Sequence, residues 1–386
     1  MVQQLPINPK TLKWARESAN ISVEEVAFRM KKATEIVESW EQEGAHSITY
    51  VQLEKLAYEI YKRPIAIFFF PDPPTEVDPK SSFRTLPPSE LDDLPPTFFK
   101  LFRDAQAMQI NLEELNDGTN PMQKKIFRDL SFSHGDNVQK IATAVRDYLG
   151  ISLETQLHWK NMSTALKEWR IAIENKGIYV FKDAFHLDDI SGFCIYDHEF
   201  PVIYLNNSMP LTRQVFTLFH ELVHLLLKTS GIDKRNDAFL RKLKGDKKKA
   251  EVLCNRFAGT FLVPDSDFEM MLQQAKLNEE RIQQLADHYK VSREVILRKC
   301  LDRKLISQAY YEQKSDQWTK EAQKRRKEGK GGDFYKKVVA YRGDTYLDLA
   351  FEKYYQGRFD VEQLAEYLGV KVNYVPGVES EYLSRT

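Results

Sequence analysis

Val215-Phe216-Thr217-Leu218-Phe219-His220-Glu221-Leu222-Val223-His224-Leu225-Leu226-Leu227-Lys228 is the stretch around which the rest of the chain is organised. Its apolar residues surround the polar ones, which predicts a helix buried nearly all round. His220 and His224 are four residues apart, so on a helix they share one face, a turn apart. That spacing points two imidazoles at one metal ion. Glu221 follows the first histidine and sits at the edge of the same face. There it can take a proton from a water activated by the metal. A buried helix carrying two His and a Glu is costly unless those groups have partners, and a metal supplies one. The plain alternative is a core helix whose histidines bond to backbone. It suits a lone His better than this five-residue pattern in an apolar setting.

Two histidines leave a catalytic zinc site short, because such a site usually has three protein ligands plus water. The next predicted helix, Ala250 to Val263, ends at Pro264. Glu251 leads it, with Asn255 and Ala258 following on the same side at i+4 and i+7. Packed beside the first helix, it would bring Glu251 to the metal. Asp246, Asp265, Cys254 and His288 are rival third ligands. Cys254 suits zinc but also reads as a small buried hydrophobe.

These two segments together carry a resemblance. His-Glu-Leu-Val-His (220–224), followed by Glu251-x-x-Cys254-Asn255-Arg256-Phe257-Ala258-Gly259-x-Phe261-Leu262-Val263-Pro264, resembles the ImmA/IrrE family of metallopeptidases. Cys254 stands where that family usually has Ala, and Gly259 and Phe261 also depart from its pattern. The resemblance covers roughly residues 160–310. It implies a gluzincin-like zinc endopeptidase, with one Zn2+ per chain held by His220, His224 and Glu251, and Glu221 as the base. It also implies a substrate among helix-turn-helix transcriptional repressors.

The whole chain bounds the reading further. With 386 residues it has room for two or three domains. Lys+Arg 56 against Asp+Glu 56 leaves no net charge, which argues against strong non-specific nucleic-acid binding. Cys194, Cys254 and Cys300 form no C-x-x-C pair and lie in apolar or helical settings, as expected in a reducing cytoplasm. The first residues lack the basic and apolar regions of a signal peptide, and no apolar run is long enough to span a membrane.

Residues 8–72 read as a five-helix module. Leu12 and Arg16, then Ser22, Glu25 and Ala27, then Ile36, Trp40, Glu41 and Gly44 resemble the Cro/C1-type helix-turn-helix signature. Ser22 and Glu25 are expected to form a capping box. The resemblance implies a recognition helix near residues 33–40, with Lys31, Lys32, Thr34, Glu35, Glu38 and Ser39 as contact residues. Its carboxylates oppose phosphate, and basic and acidic side chains balance between residues 10 and 63. The expectation is therefore docking to a protein, for example another helix-turn-helix, ahead of DNA binding.

Residues 73–135 read as a proline-rich linker, including Phe83-Arg84 and Leu86-Pro87-Pro88, followed by a helix. A peptidase core is expected over 136–310. Helices at 136–149 and 165–174 precede three strands, at Ile178 to Phe181, Gly192 to Tyr196 and Val202 to Leu205. These predict a small antiparallel sheet beside the metal helix, with Asp197-His198-Glu199 in a turn. His186 and His198 are minor candidates for the site, and Tyr204 is a guess for the oxyanion stabiliser. Lys242-Leu243-Lys244-Gly245-Asp246-Lys247-Lys248-Lys249 reads as a solvated basic stretch. Residues 279–305 look like a second helix-turn-helix unit, more basic than the first. A helical extension, 311–386, closes the chain, with Gly329-Lys330-Gly331-Gly332 in its linker, and has no assigned role.

The reading is an α+β protein, mostly helical, acting as a zinc endopeptidase on a repressor-like partner in a stress, mobile-element or phage-related response. The alternative is a non-catalytic, antitoxin-like regulator or partner-binding protein with a structural zinc core. No membrane partner is expected, and the sequence is silent on oligomeric state.

Overall fold

The structure, a computed structural model, describes residues 5–42, 48–76, 79–83, 88–234, 243–273, 277–327 and 332–385. Gly44, Arg84, Leu86, Pro87, Lys242 and the linker residues 329–331 lie outside the described residues. The chain divides into two compact units, Met1–Ala107 and Met108–Thr386, each with its own core. The class is α+β and mostly helical, as the sequence implied.

In the first unit, α1 (Pro9–Ser18), α2 (Val23–Met30) and α3 (Thr34–Trp40) precede α4 (Tyr50–Glu54), which continues in wider π-type turns over Lys55–Tyr61. Leu12, Val26, Val37, Trp40, Leu53 and Leu56 meet in the core. Arg16 is spent inside: it donates to both oxygens of Glu41 at 2.6 and 2.9 Å and to the Ile21 carbonyl at 3.1 Å. This bidentate pair ties α1 to the end of α3. Only half of the expected capping box forms. Ser22 accepts from the Glu25 N–H, while the Glu25 carboxylate turns to Arg29. Lys31 takes a left-handed conformation at the end of α2. Phe83 of the proline-rich stretch is buried against Phe98 and Phe102. Those two rings lie on α5 (Pro96–Leu115).

The second unit is built on α6 (Val138–Leu149), α7 (Met162–Glu174), β1 (Tyr179–Asp183), β2 (Ile190–Ile195), β3 (Val202–Asn206), α8 (Leu211–Leu226), β4 (Gly231–Lys234) and α9 (Gly245–Leu262). The sheet order is β1-β3-β2-β4. β2 pairs antiparallel with β3 and β4, but β1 runs parallel to β3, so the sheet is mixed rather than antiparallel. β4 has one apolar residue, Ile232, between Gly and Asp, too weak a pattern to mark a strand.

Side chains alternate across a strand, and the two faces of this sheet have different coverings. Val180, Cys194, Ile203 and Leu205 face the core shared with α8. Phe181, Phe193 and Tyr204 point the other way, and Phe193 and Tyr204 stack at 5.4 Å. Residues 332–385 meet that outer face. They form α14 (Phe334–Arg342), α15 (Asp344–Tyr355), α16 (Val361–Leu368) and α17 (Val375–Leu383), and Tyr346 of α15 meets Phe181 at 5.3 Å.

Between α9 and this extension come α10 (Asp265–Gln273), α11 (Glu279–Tyr289), α12 (Arg293–Asp302) and α13 (Gln308–Lys327). α11 and α12 are joined by a left-handed Lys290, and Ser292 caps α12. Their apolar face belongs to the core of α8 and α9. The basic residues of the pair are bonded within the fold. Arg293 lies over Trp318 and meets Glu321, while Lys299 and Arg303 both reach Asp265. None of the helices among the described residues is long and apolar enough to cross a membrane.

Candidate metal centre

Helix α8 is apolar all round because it is enclosed: the sheet covers one side, α7 another and α9 a third. Two inward-facing glycines let the sheet approach it. A Cβ on Gly231 would stand 2.4 Å from the His224 ring, and one on Gly192 would stand 2.6 Å from Thr217. Both distances are far inside van der Waals contact, so each site requires glycine.

His220 and His224 project from α8 with ring centroids 5.1 Å apart. Glu251, in the second turn of α9, reaches both. One carboxylate oxygen is 3.3 Å from His220 Nε2 and the other is 3.2 Å from His224 Nε2. Two donors held about 2.0–2.1 Å from one tetrahedral zinc stand roughly 3.3 Å apart, so these are separations that a shared cation imposes. Hydrogen bonds do not account for them. Both Nε2 atoms are buried and lack a hydrogen-bond partner among the described residues, and so does His224 Nδ1. By contrast His220 Nδ1 is 3.2 Å from Asn255 Oδ1. That contact gives the Nδ1 proton an acceptor and turns Nε2 toward Glu251, the usual supporting arrangement for a ligating histidine.

Glu221 is fully buried, and the hydrogen-bond donor beside it is the weak Cys194 thiol. Its polar neighbours are the two imidazoles, Asp233 and the Cys194 thiol. Burial pushes its carboxyl above the ordinary range despite the imidazoles. Glu251 goes the other way: burial opposes its charge, but His224 and His220 hold it well below the usual carboxylate range. Burial opposes a charge on His220 too, yet Asp233, Glu251 and Glu221 outweigh it and lift the group to about 9. Three carboxylates around two imidazoles make a pocket that favours a cation. Asp233 of β4 is itself fixed by both of its oxygens on Arg213, at 2.7 and 2.9 Å, and by the Thr217 hydroxyl at 2.7 Å.

A second sulfur-containing grouping overlaps the first. One donor atom each from His220, His224 and Cys254 lies within 4.8 Å of the others, all three buried. Glu251 and Cys254 therefore compete for the place of third donor. Glu251 has the stronger geometry, because it already touches both imidazoles at ligand-to-ligand distance.

The other candidates lie elsewhere or face away. Asp246 is exposed and pairs with Lys249. Asp265 is held by Lys299, Arg303 and Gln139. His288 is half-buried on α11 against Tyr289. His186 and His198 are exposed in loops. Tyr204 lies on the sheet face opposite α8 and cannot serve as an oxyanion stabiliser there. In the first unit Lys31, Lys32, Glu35 and Glu38 are exposed, and Thr34 and Ser39 are half-buried. Sequence reasoning missed the roles of Gly231, Asp233 and Asn255. Only Asn255 left a signal, at i+4 from Glu251.

Residues 173–301 match the model of a peptidase family described as the IrrE N-terminal-like domain. The matched span runs from the end of α7 through α12 and includes His220, Glu221, His224 and Glu251. No curated protein matches the chain.

Proposed function

We propose that the protein is a zinc-dependent endopeptidase, with His220, His224 and Glu251 as the protein ligands and Glu221 as general base. One observation carries the reading. Two imidazole nitrogens and a carboxylate converge at ligand spacing, beside a second buried carboxylate whose hydrogen-bond donor is only a thiol. A purely structural metal site would need the first three groups but not Glu221. A buried carboxylate so weakly partnered costs stability and calls for a reason.

When bound, zinc supplies Lewis-acid polarisation of the scissile carbonyl and makes water acidic enough to act near neutral pH. With the metal held there, Glu221 would be placed to take a proton from water and pass it to the leaving amine. Its dry surroundings raise its proton affinity toward the range in which both transfers are efficient. His220 is kept in the ligating tautomer by Asn255, and Gly231 lets His224 sit against the sheet. β4 is the sheet edge on the α8 side, and an extended substrate segment could add to it as a further strand.

The substrate we propose is a helix-turn-helix repressor or similar regulatory partner. Support comes from the resemblance of the core and from the acidic, exposed face of α3, which disfavours DNA and leaves Glu35 and Glu38 free to meet a basic protein surface. The three buried free thiols suit a reducing compartment such as the cytoplasm. The test is cleavage of a repressor encoded beside this gene by the purified zinc-loaded chain. Cleavage that is lost in Glu221→Gln supports the reading. Cleavage that survives Glu221→Gln overturns the assignment of the base.

A further inference from the structure

Resting on the metal reading above, a further inference concerns Cys254. It lies on α9 one turn beyond Glu251 and directly before Asn255, so it shares the face those residues turn to α8. Its side chain is fully buried and in no disulfide. Its sulfur stands within 4.8 Å of donor atoms on both histidines. Those histidines bring a second, independent observation: three of their four ring nitrogens are buried without a hydrogen-bond partner. Two nitrogens and the thiol therefore form one donor group, and Glu251 meets the same two imidazoles from beside it, where a hydrolytic centre needs three donors and an open position.

Donors of one tetrahedral zinc, with sulfur at about 2.3 Å and nitrogen at about 2.0–2.1 Å, stand roughly 3.5 Å apart. Against the two imidazole donors the sulfur is within about 1.3 Å of that spacing, a gap that side-chain rotation can close. Four-donor sets of Cys and His are characteristically closed, structural centres, whereas catalytic centres keep a place for water.

We propose that Cys254 is a fourth metal donor that closes the centre, so that the peptidase rests latent until the thiol is displaced. On closing, the S–H bond is replaced by a sulfur–metal bond, one proton leaves to solvent, and no place remains for the water that Glu221 would deprotonate. On opening, the sulfur regains a proton and the place is restored. Glu221 is untouched in both states, so opening alone restores the base and its water. The displacing group is water, which takes the place the sulfur leaves as the sulfur regains its proton.

The experiment is to load the full chain with cobalt(II) and record its absorption, together with the Cys254→Ala, Cys254→Ser and Cys194→Ser variants. Cobalt per chain is measured in each, and zinc-loaded peptide hydrolysis is measured alongside. The expected result is a near-ultraviolet thiolate-to-cobalt charge-transfer band in the unaltered chain and in Cys194→Ser. The band disappears in Cys254→Ala while cobalt stays near one per chain. Hydrolysis by zinc-loaded Cys254→Ala should be faster by about tenfold or more, the factor expected if a closed state outnumbers the open one by that ratio. One cobalt per chain without the band overturns this inference and leaves the peptidase reading standing. So does a band that persists in Cys254→Ala, or a variant no faster than the unaltered chain. Absence of cobalt binding in all four proteins overturns the metal reading, and this inference with it.

Discussion

The second unit buries two clusters of charged side chains, and they are built on opposite principles. On the outer side of α7, Arg170 donates to Glu174 at 2.9 Å, to the Ala340 carbonyl at 2.9 Å, to the Arg342 carbonyl at 2.7 Å and to the Val180 carbonyl. Glu174 accepts in addition from the Thr345 hydroxyl at 2.7 Å and the Val180 N–H at 3.3 Å. Even Gly343 is shaped to it, since a Cβ there would stand 2.0 Å from the guanidinium. Both charges of the Arg170–Glu174 pair are answered. In the candidate metal centre the Nε2 atoms of His220 and His224 meet only the shared Glu251 carboxylate, and Glu221 meets only a thiol as hydrogen-bond donor. A buried cluster whose groups are all satisfied holds the fold together, here by tying α7 and β1 to the C-terminal extension. One that leaves its groups weakly answered has traded stability for a ligand and a reaction.

That contrast can be broken most directly at Glu221. Replacing it by Gln should cut peptide cleavage by about 100- to 10,000-fold, the usual range for losing a general base. Zinc should stay near one per chain. The same substitution should leave the metal-free protein as stable as before or more so, because the amide keeps a contact with the Cys194 thiol and no longer carries the cost of burying a carboxylate. A clear fall in melting temperature would show that Glu221 is satisfied after all. Glu251→Ala should behave differently, losing zinc and activity together, as equilibrium dialysis would show.

The satisfied cluster should respond in the opposite sense. Arg170→Met strands Glu174 and should cost about 3–5 kcal/mol in denaturant unfolding, the range for removing one partner of a buried pair. Zinc stoichiometry in the protein that remains folded should not change. If Arg170→Met instead removes zinc while stability holds, the two clusters are not separate in function.

Between these extremes lies Asn255, which supports a ligand without being one. Asn255→Ala should weaken zinc binding by about 10- to 100-fold, measured by competition with a chelator. An unchanged affinity would mean that the contact to His220 Nδ1 does not orient the ring. The smallest effect is expected at the exposed Lys31 and Lys32 of the first unit. Their joint change to Ala should alter the salt dependence of any DNA binding by the full chain only slightly, because α3 carries Glu35 and Glu38. Tight, sequence-selective binding to the DNA flanking the gene, lost in that double variant, would reverse the expectation of protein docking.

The sequence made the satisfied cluster almost invisible and the unsatisfied one plain. His220, Glu221 and His224 follow a spacing that only a helix turns into a common face, so five residues of pattern pointed to the candidate site. Glu251 was legible because its helix repeats the apolar period that packs it on α8. Arg170 and Glu174 look like any i, i+4 surface pair. Their burial depends on residues 332–385 returning to cover the sheet, a long-range event that no local pattern encodes. The same holds for β4 and for the parallel pairing of β1. A strand of Gly-Ile-Asp-Lys has no alternation to read, and strand direction is set by how the chain returns. The aromatic residues Phe181, Phe193 and Tyr204 marked strands correctly but not which face they occupy. Tyr204 was accordingly placed toward the metal when it points away from it.

The most direct test of the central claim is anomalous diffraction at the zinc edge from crystals of the full chain. One peak per chain is expected, about 2.0–2.2 Å from the Nε2 atoms of His220 and His224 and from a Glu251 oxygen, with both Glu221 oxygens outside bonding distance. A peak bonded to Glu221, or a zinc-soaked crystal with no peak between α8 and α9, would contradict it.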